Sequence, residues 1–364
     1  MTGDRSMSPD PVWRVKRDII EAIGFFPGLG SLDAYRDLGA TLHASGIPQV
    51  RRIYRDAAAA LGYTDDVTPQ PERLFFTDAN LPSHPAEKAG LLTAAFLVHN
   101  LALLAHFEHH VHLSRTTVRF KAFTGESLGV LIAAAASRAL SVGDAARVAR
   151  EFSRGILRSD VPEAFCVLGI QTSEPETVQA ALASALGDKF EVHKYFCEGR
   201  PGQFNAYVAE TAVGCFERLM RSRFPEATFA SLKPPTRFLA HSRRMSDLRR
   251  RLEAFVAGTG VQFFDPAIPV ISNNGSGILA TRTEVARAVF AMADEPMRSS
   301  ETTRIAEKLR ADVIIELGLG GKTRLLIERN RLTTPLMEYV GPPSVPDWMT
   351  HWHRWSGCES PALS

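Results

Sequence analysis

The pentapeptide Gly125-Glu126-Ser127-Leu128-Gly129 sets a serine between small residues, where an extended segment (116–124) gives way to an Ala-rich one (130–140). Small residues let the chain turn sharply and hold a hydroxyl exposed at the N-terminus of the following helix, the arrangement of a nucleophile elbow. There the helix dipole and the Leu128 N–H are placed to meet a developing oxyanion. The chemistry this suits is nucleophilic attack by Ser127 on a carbonyl. A serine in any Gly-rich turn gives the same five letters, so the strand–turn–helix context carries the reading.

Two other patterns suggest chemistry and are set aside. Gly318-Leu319-Gly320-Gly321-Lys322-Thr323 follows a hydrophobic strand as a phosphate loop would, but the first required glycine falls on Glu316, a carboxylate where phosphate would sit. His106, His109, His110 and His112 end a helix, where histidines commonly face solvent or the helix dipole, so no metal is expected.

The elements that must position Ser127 begin with an apolar strand at 19–26, stopped by Pro27-Gly28-Leu29-Gly30-Ser31. Helical periodicity covers 34–60, a Pro-rich loop 68–85, and an apolar helix about 87–106. From Glu163 the order becomes strand 164–170, helix 174–186, strand 190–197, strand 204–209, helix 211–223 and strand 228–232, the split βαβ pattern of a ferredoxin-like unit. Ser173 and Glu176 have the spacing of a capping box for its first helix. Beyond Lys233-Pro234-Pro235 come an amphipathic helix carrying Met245, Leu248, Leu252 and Phe255, a strand at 269–272, a helix at 283–292 and a strand at 312–317. The expected organisation is an N-terminal extension (1–18), a large α/β part (19–162 and 233–332), a small inserted part (163–232) and a tail without periodicity (333–364).

The chain's 364 residues, 45% hydrophobic and 23% charged, are typical of a globular protein. Forty-two Lys and Arg against 40 Asp and Glu leave a net charge of +2, which speaks against a nucleic-acid binder working through bulk charge. Cys166, Cys197, Cys215 and Cys358 are too scattered for a zinc ribbon or a CxxC redox pair and suit a reducing compartment. The N-terminus shows no secretory signal, and the apolar stretch 89–105 is interrupted by His99 and Asn100. A cytoplasmic monomer without membrane contact is expected.

Five segments, in order over residues 20–330, resemble the malonyl-CoA:acyl-carrier-protein transacylase family, which includes acyltransferase domains of polyketide and fatty acid synthases. Phe26-Pro27-Gly28-Leu29-Gly30-Ser31 is similar to its FPGQGSQ and residues 125–130 to its GHSLGE; Phe238-Leu239-Ala240-His241-Ser242 with Met245 resembles its histidine segment. Pro269-Val270-Ile271-Ser272-Asn273 and Ile315-Glu316-Leu317-Gly318-Leu319-Gly320 resemble its P-V-x-S-N and E-V-G-P-G segments. The resemblance implies an α/β fold, an α/β-hydrolase-like large subdomain with an inserted ferredoxin-like small subdomain. It also implies Ser127 as nucleophile, His241 as its general base, and the N–H groups of Leu128 and Leu29 as oxyanion hole. A backbone carbonyl just ahead of a proline, expected near Met292, would orient the histidine.

Departures from the family bear on the substrate. Ungapped alignment puts the family's carboxylate-binding arginine at Phe152, with Arg150 and Arg154 two residues to either side, about 200° around a helix. The residue before the histidine is Ala240, the family glutamine ahead of the elbow is Lys88, and the histidine before the nucleophile is Glu126, whose carboxylate would repel a malonyl carboxylate. These point to an acyl group that is neutral or amine-bearing.

Arg243, Arg244, Arg249, Arg250 and Arg251 follow His241, with Arg218, Arg221 and Arg223 in the small part; they form either a solvated face or a docking site for an acidic carrier protein. The expected activity is transfer of an acyl group, other than malonyl, in a natural-product assembly line. The donor is an acyl-CoA or acyl-carrier-protein thioester, and the acceptor is the phosphopantetheine thiol of an acyl carrier protein. No bound cofactor is expected beyond CoA or phosphopantetheine as acyl carrier. Two alternatives stay open: an editing acyl hydrolase using the same serine and histidine, and a malonyl transacylase with Arg154 as carboxylate clamp.

Overall fold

Long apolar runs become buried strands and helices, and short Gly- and Pro-bearing segments become the turns between them. The first half of the chain runs β1 (Ile19–Phe26), α1 (Leu32–Ala44), α2 (Pro48–Ala60), α3 (Pro85–Leu113), β2 (Thr117–Gly125), α4 (Gly129–Ala136) and α5 (Val142–Leu157). The middle is β3 (Phe165–Thr172), α6 (Pro175–Leu186), β4 (Phe190–Cys197), β5 (Gly202–Ala209), α7 (Val213–Arg223) and β6 (Thr228–Thr236). The rest is α8 (Ser246–Thr259), β7 (Val270–Ile271), β8 (Ile278–Leu279), α9 (Arg282–Ala291), β9 (Met297–Arg298), α10 (Ser299–Lys308), β10 (Val313–Leu317), α11 (Lys322–Asn330) and β11 (Leu336–Tyr339). This computed structural model describes residues 19–29, 32–64, 70–77, 81–114, 117–159, 161–197, 201–319 and 322–341. The N-terminal extension, Gly30, Ser31, Gly320, Gly321, Cys358 and the rest of the tail beyond 341 lie outside them.

Six strands in the order β11-β10-β1-β2-β7-β8 form the larger sheet, parallel except for the β7–β8 pair. Central β1 is buried along nearly its whole length, as a parallel strand covered on both faces must be. Helix α3 is long and apolar enough to cross a membrane, yet 89% of its most apolar window is buried within the fold, so it is a core helix. It packs between the sheet and α2 and α5.

The second sheet has the order β6-β3-β5-β4-β9. Its first four strands are antiparallel and follow the ferredoxin-like order; β9 adds in parallel from the later part of the chain. Strand β6 continues to Thr236, past the expected boundary at 232.

Several local expectations need correction. The periodic stretch 34–60 is two helices, because Gly46 at φ +76° ends the first and Pro48 starts the second. Ser173 does not cap α6: Glu174 is the N-cap, and its N–H donates to Thr172 Oγ1 at 3.2 Å. A capping box occurs instead at Thr281 and Glu284 ahead of α9. Part of the tail is structured, since β11 pairs with β10 and buried Tyr339 shares a 2.6 Å hydrogen bond with His106 Nδ1. Cys166, Cys197 and Cys215 are free thiols.

Among the described glycines, the closest approach of another backbone is at the start of α4. A Cβ at Gly129 would lie 2.5 Å from the Phe26 carbonyl oxygen, and the same oxygen is 2.5 Å from where a Gly125 Cβ would sit. Gly129→Ala is expected to destabilise the protein by about 3 kcal/mol, the upper range for overpacking, read as a lower urea midpoint at unchanged slope. A midpoint equal to the parent's would show that the two backbones can separate.

Candidate active site

Strand β2 ends at Gly125 and helix α4 begins at Gly129, and the turn between them carries Ser127 at φ +50°, a left-handed conformation that costs a non-glycine residue energy. The turn is held from both sides. Glu126 N–H donates to the Phe26 carbonyl at 3.1 Å, and Asn273 Nδ2 donates to the Ser127 carbonyl at 3.1 Å. The segment Pro269–Asn273 is thus placed to brace the elbow. A Cβ at Gly28 would lie 3.5 Å from Ser127 Cβ, so the turn after β1, with Leu29 next in line, runs alongside the hydroxyl. Leu29 and Leu128 both line the cavity into which Ser127 opens.

His241 reaches Ser127 from a distant loop: its Nε2 lies 2.8 Å from Ser127 Oγ. It too has a left-handed backbone, φ +65°, fixed by its N–H donating to the Ala293 carbonyl at 2.9 Å. The ring is hydrogen-bonded to the carbonyl of Glu295, immediately before Pro296, and not to one near Met292 as the sequence suggested. The shift follows from the chain's path after α9 ends at Ala291: the Ala293 carbonyl is taken by the His241 N–H, and the Glu295 carbonyl meets the ring. Burial pushes the His241 ring down to about 4, the Glu295 carbonyl and Glu126 pull it up, and Lys194 adds to the fall. At neutral pH the imidazole is uncharged and can accept the serine proton.

The loop carrying Glu295 is anchored by Arg249, whose Nη1 donates to Asp294 Oδ1 at 3.2 Å and Glu295 Oε1 at 3.0 Å. Asn274 Nδ2 donates to Glu295 Oε2 at 2.7 Å. Arg249, expected on a docking face, therefore holds the loop that orients the histidine.

Ser127 and His241 open into a cavity of about 760 Å³. One wall is apolar, with Leu92, Phe152, Ile156, Leu157 and Ala240. The other belongs to the second sheet and presents His193, Lys194, Gln203, Asn205 and Tyr207. Phe152 stands in the wall as the ungapped alignment required. Arg154 does not line the cavity: its guanidinium is held by Glu87 at 2.7 Å and Glu151 at 3.0 Å. Glu87 also binds Arg150 at 3.0 Å and Arg158 at 3.1 Å, and although burial would raise its carboxyl, these arginines hold it below the usual range.

Glu126 does not present a bare charge to substrate. It is buried against Lys194 Nζ at 2.6 Å and accepts a hydrogen bond from Ser299 at 2.7 Å, so the expected repulsion of a carboxylate is largely cancelled. Lys88 is exposed on α3 and does not line the cavity, because the helix turns Ala89 and Leu92 inward instead. Of the other arginines, Arg244 lies over the Phe165 ring at 4.7 Å and donates to the Asp188 carbonyl, and Arg250 pairs with Asp247. Arg243 is exposed, its N–H donating to Glu191 at 2.7 Å. Sequence reasoning missed His193, Lys194 and Asn205. No motif marks them, because a β-bulge between Val192 and Lys194 brings His193 and Lys194, consecutive residues, to the same buried side.

No family model matches the sequence, and no curated protein does. Solved structures do. The malonyl CoA-acyl carrier protein transacylase of Coxiella burnetii superposes with a TM-score of 0.70 over 93% of this chain and 98% of its own, at 19% identity. A malonyl-transacylase solved with its type II polyketide synthase acyl-carrier protein gives 0.69 over 91% and 99%, at 20% identity. The acyltransferase domain from the second module of the salinomycin polyketide synthase gives 0.67 over 94% and 74%, at 18%. The chain has the α/β fold of the malonyl-CoA:acyl-carrier-protein transacylases, with a large and a small subdomain.

Because proton transfer needs a neutral His241, covalent labelling of Ser127 by a serine-directed phosphonate should hold its rate from pH 8 to about 5 and fall roughly tenfold per unit below about 4. A fall centred near 6.5, the ordinary histidine value, would contradict the buried, neutral ring. Arg249→Gln should slow the same labelling on the order of tenfold or more through misplacement of the ring; an unchanged rate would relegate Arg249 to surface pairing.

Proposed function

We propose that the chain is an acyltransferase that carries an acyl group on Ser127 between thioesters. The observation that carries this is the 2.8 Å contact between Ser127 Oγ and a buried, neutral His241 at a backbone-strained elbow, opening into a largely apolar cavity. In the first half-reaction Ser127 Oγ bonds to the thioester carbonyl carbon and its proton passes to His241 Nε2. The Leu128 and Leu29 N–H groups receive the oxyanion, each worth about 3 kcal/mol. The C–S bond then breaks, and the thiolate of CoA or of a carrier protein leaves with the proton from His241. In the second half-reaction a phosphopantetheine thiol gives its proton to His241, attacks the acyl-serine carbonyl and regenerates the hydroxyl. The Glu295 carbonyl accepts from the other ring nitrogen, which stays protonated throughout.

An acyl group without a free carboxylate fits the cavity best. Phe152 occupies the wall where the family's carboxylate-binding arginine would align, and Arg154 is already committed to Glu87 and Glu151. Removing Arg154 from that pair to serve as a clamp would strand Glu87 and Glu151, half-buried, with less compensation.

An acyl carrier protein is the proposed partner. The cavity mouth carries exposed Leu29, Leu232, Phe238 and Leu325, with the cations Lys233 and Arg329 beside them. An apolar rim with flanking positive charge suits an acidic carrier that must insert a thioester arm. The neighbour solved with its acyl-carrier protein supports the same choice.

Intact-mass spectrometry of the protein with a panel of acyl thioesters, with and without an acyl carrier protein, tests the proposal. A Ser127-dependent adduct that moves to the carrier protein is expected. Release as free acid would make the protein a hydrolase, preference for malonyl would refute the role given to Phe152, and no adduct with any thioester would overturn the proposal.

A further inference from the structure

The small-subdomain wall of the cavity holds two polar groups without partners. His193 is 8% exposed, and among the described residues neither of its ring nitrogens has a hydrogen-bond partner; Asn205 Oδ1 is likewise buried and unpartnered among them. Both side chains line the cavity that Ser127 and His241 share. Buried polar atoms are nearly always satisfied, so two orphans facing one cavity mark a place where something else supplies the bonds.

Their placement is built into the sheet. Strand β4 bulges between Val192 and Lys194, and β5 pairs Asn205 with Lys194 and Ala206 with Val192. His193 is therefore the extra residue of the bulge, aimed into the cavity beside Asn205 on the neighbouring strand. Its ring is braced by stacking on Tyr207, with centroids 4.2 Å apart and planes at 22°, and Tyr207 OH donates to the Ala240 carbonyl at 2.9 Å, next to His241. Burial, with His241, Lys194 and Lys233 nearby, keeps the His193 ring far below its ordinary range, so it is neutral at physiological pH. A neutral imidazole offers one N–H and one acceptor nitrogen. The surrounding cations disfavour an ammonium group, and Glu126 is already taken by Lys194.

We propose that His193 and Asn205 form a subsite recognising a neutral hydroxyl on the acyl chain, which donates to Asn205 Oδ1 and accepts from the His193 N–H. This rests on the acyl-transfer function proposed above and narrows its substrate to hydroxyacyl groups. The discrimination comes from the hydroxyl itself: it supplies the bonds that His193 and Asn205 lack, whereas an alkyl chain of equal length leaves both unpaired.

The test compares butyryl-, 3-hydroxybutyryl- and 4-hydroxybutyryl-CoA by initial rate of Ser127 adduct formation, for the parent, His193→Phe and Asn205→Val. In parallel, binding of the same thioesters to Ser127→Ala, with the same second substitutions added, is measured by calorimetry. At least one hydroxyacyl thioester should exceed butyryl by about tenfold in rate and affinity, and either substitution should bring that ratio close to one. Ratios cancel any general loss from the substitutions, and phenylalanine keeps an aromatic ring against Tyr207. A parent ratio near one for both hydroxyacyl thioesters in the binding assay, or a ratio that survives both substitutions, overturns the subsite. A binding preference without any adduct on the parent leaves the subsite standing and refutes acyl transfer, so the two failures are distinguishable.

Discussion

A single backbone oxygen, the carbonyl of Phe26 at the end of the central strand, sits where side chains at both Gly125 and Gly129 would otherwise be. That approach pulls the end of β2 and the start of α4 onto β1 and leaves no room for a relaxed turn, so Ser127 takes a left-handed backbone. Its hydroxyl is then carried clear of the sheet, at the N-terminus of α4. The strain persists because the surroundings over-determine it: Glu126 N–H is bound to Phe26, and the Ser127 carbonyl to Asn273. His241, strained in the same sense, is held by Ala293 and Glu295. Two residues that would each relax alone are kept 2.8 Å apart by contacts from three different segments: the end of β1, the Asn273 side chain and the loop after α9.

The charges follow a second constraint. Partly buried ions cost free energy unless paired, and nearly every arginine or carboxylate near the cavity is used up in pairing. Glu87 gathers Arg150, Arg154 and Arg158; Arg249 bridges Asp294 and Glu295; Lys194 neutralises Glu126. What remains to line the cavity is an apolar wall and a neutral polar one. The small subdomain contributes the second wall through a bulge and a stacked ring, which places the polar wall on one subdomain and Ser127 on the other.

Much of this was legible in the chain. Residues 125–129 announce a sharp turn because the glycines and the flanking strand and helix are neighbours in sequence, and β1 and β4 are bounded by the residues their apolar pattern indicates. The split βαβ order around residues 165–236 is equally local, a matter of period and spacing. Other expectations failed where contact depends on docking. Arg249 reads as one more surface arginine until α8 is laid against the loop after α9, and Lys88 looks like a cavity residue until α3 is rotated into the core. β11 has too few residues to show a period, and only the edge of β10 makes it a strand.

The sequence by itself determined the turn that exposes Ser127 and the layered α/β fold, because these rest on steric and hydrophobic patterns within a few residues. Tertiary structure alone decided which carbonyl holds His241, which arginines are spent on carboxylates, and that His193 and Lys194 both face the cavity. Each depends on how elements far apart in the chain meet, and a one-residue bulge or a few tens of degrees of helix rotation reverses the outcome without altering any local pattern.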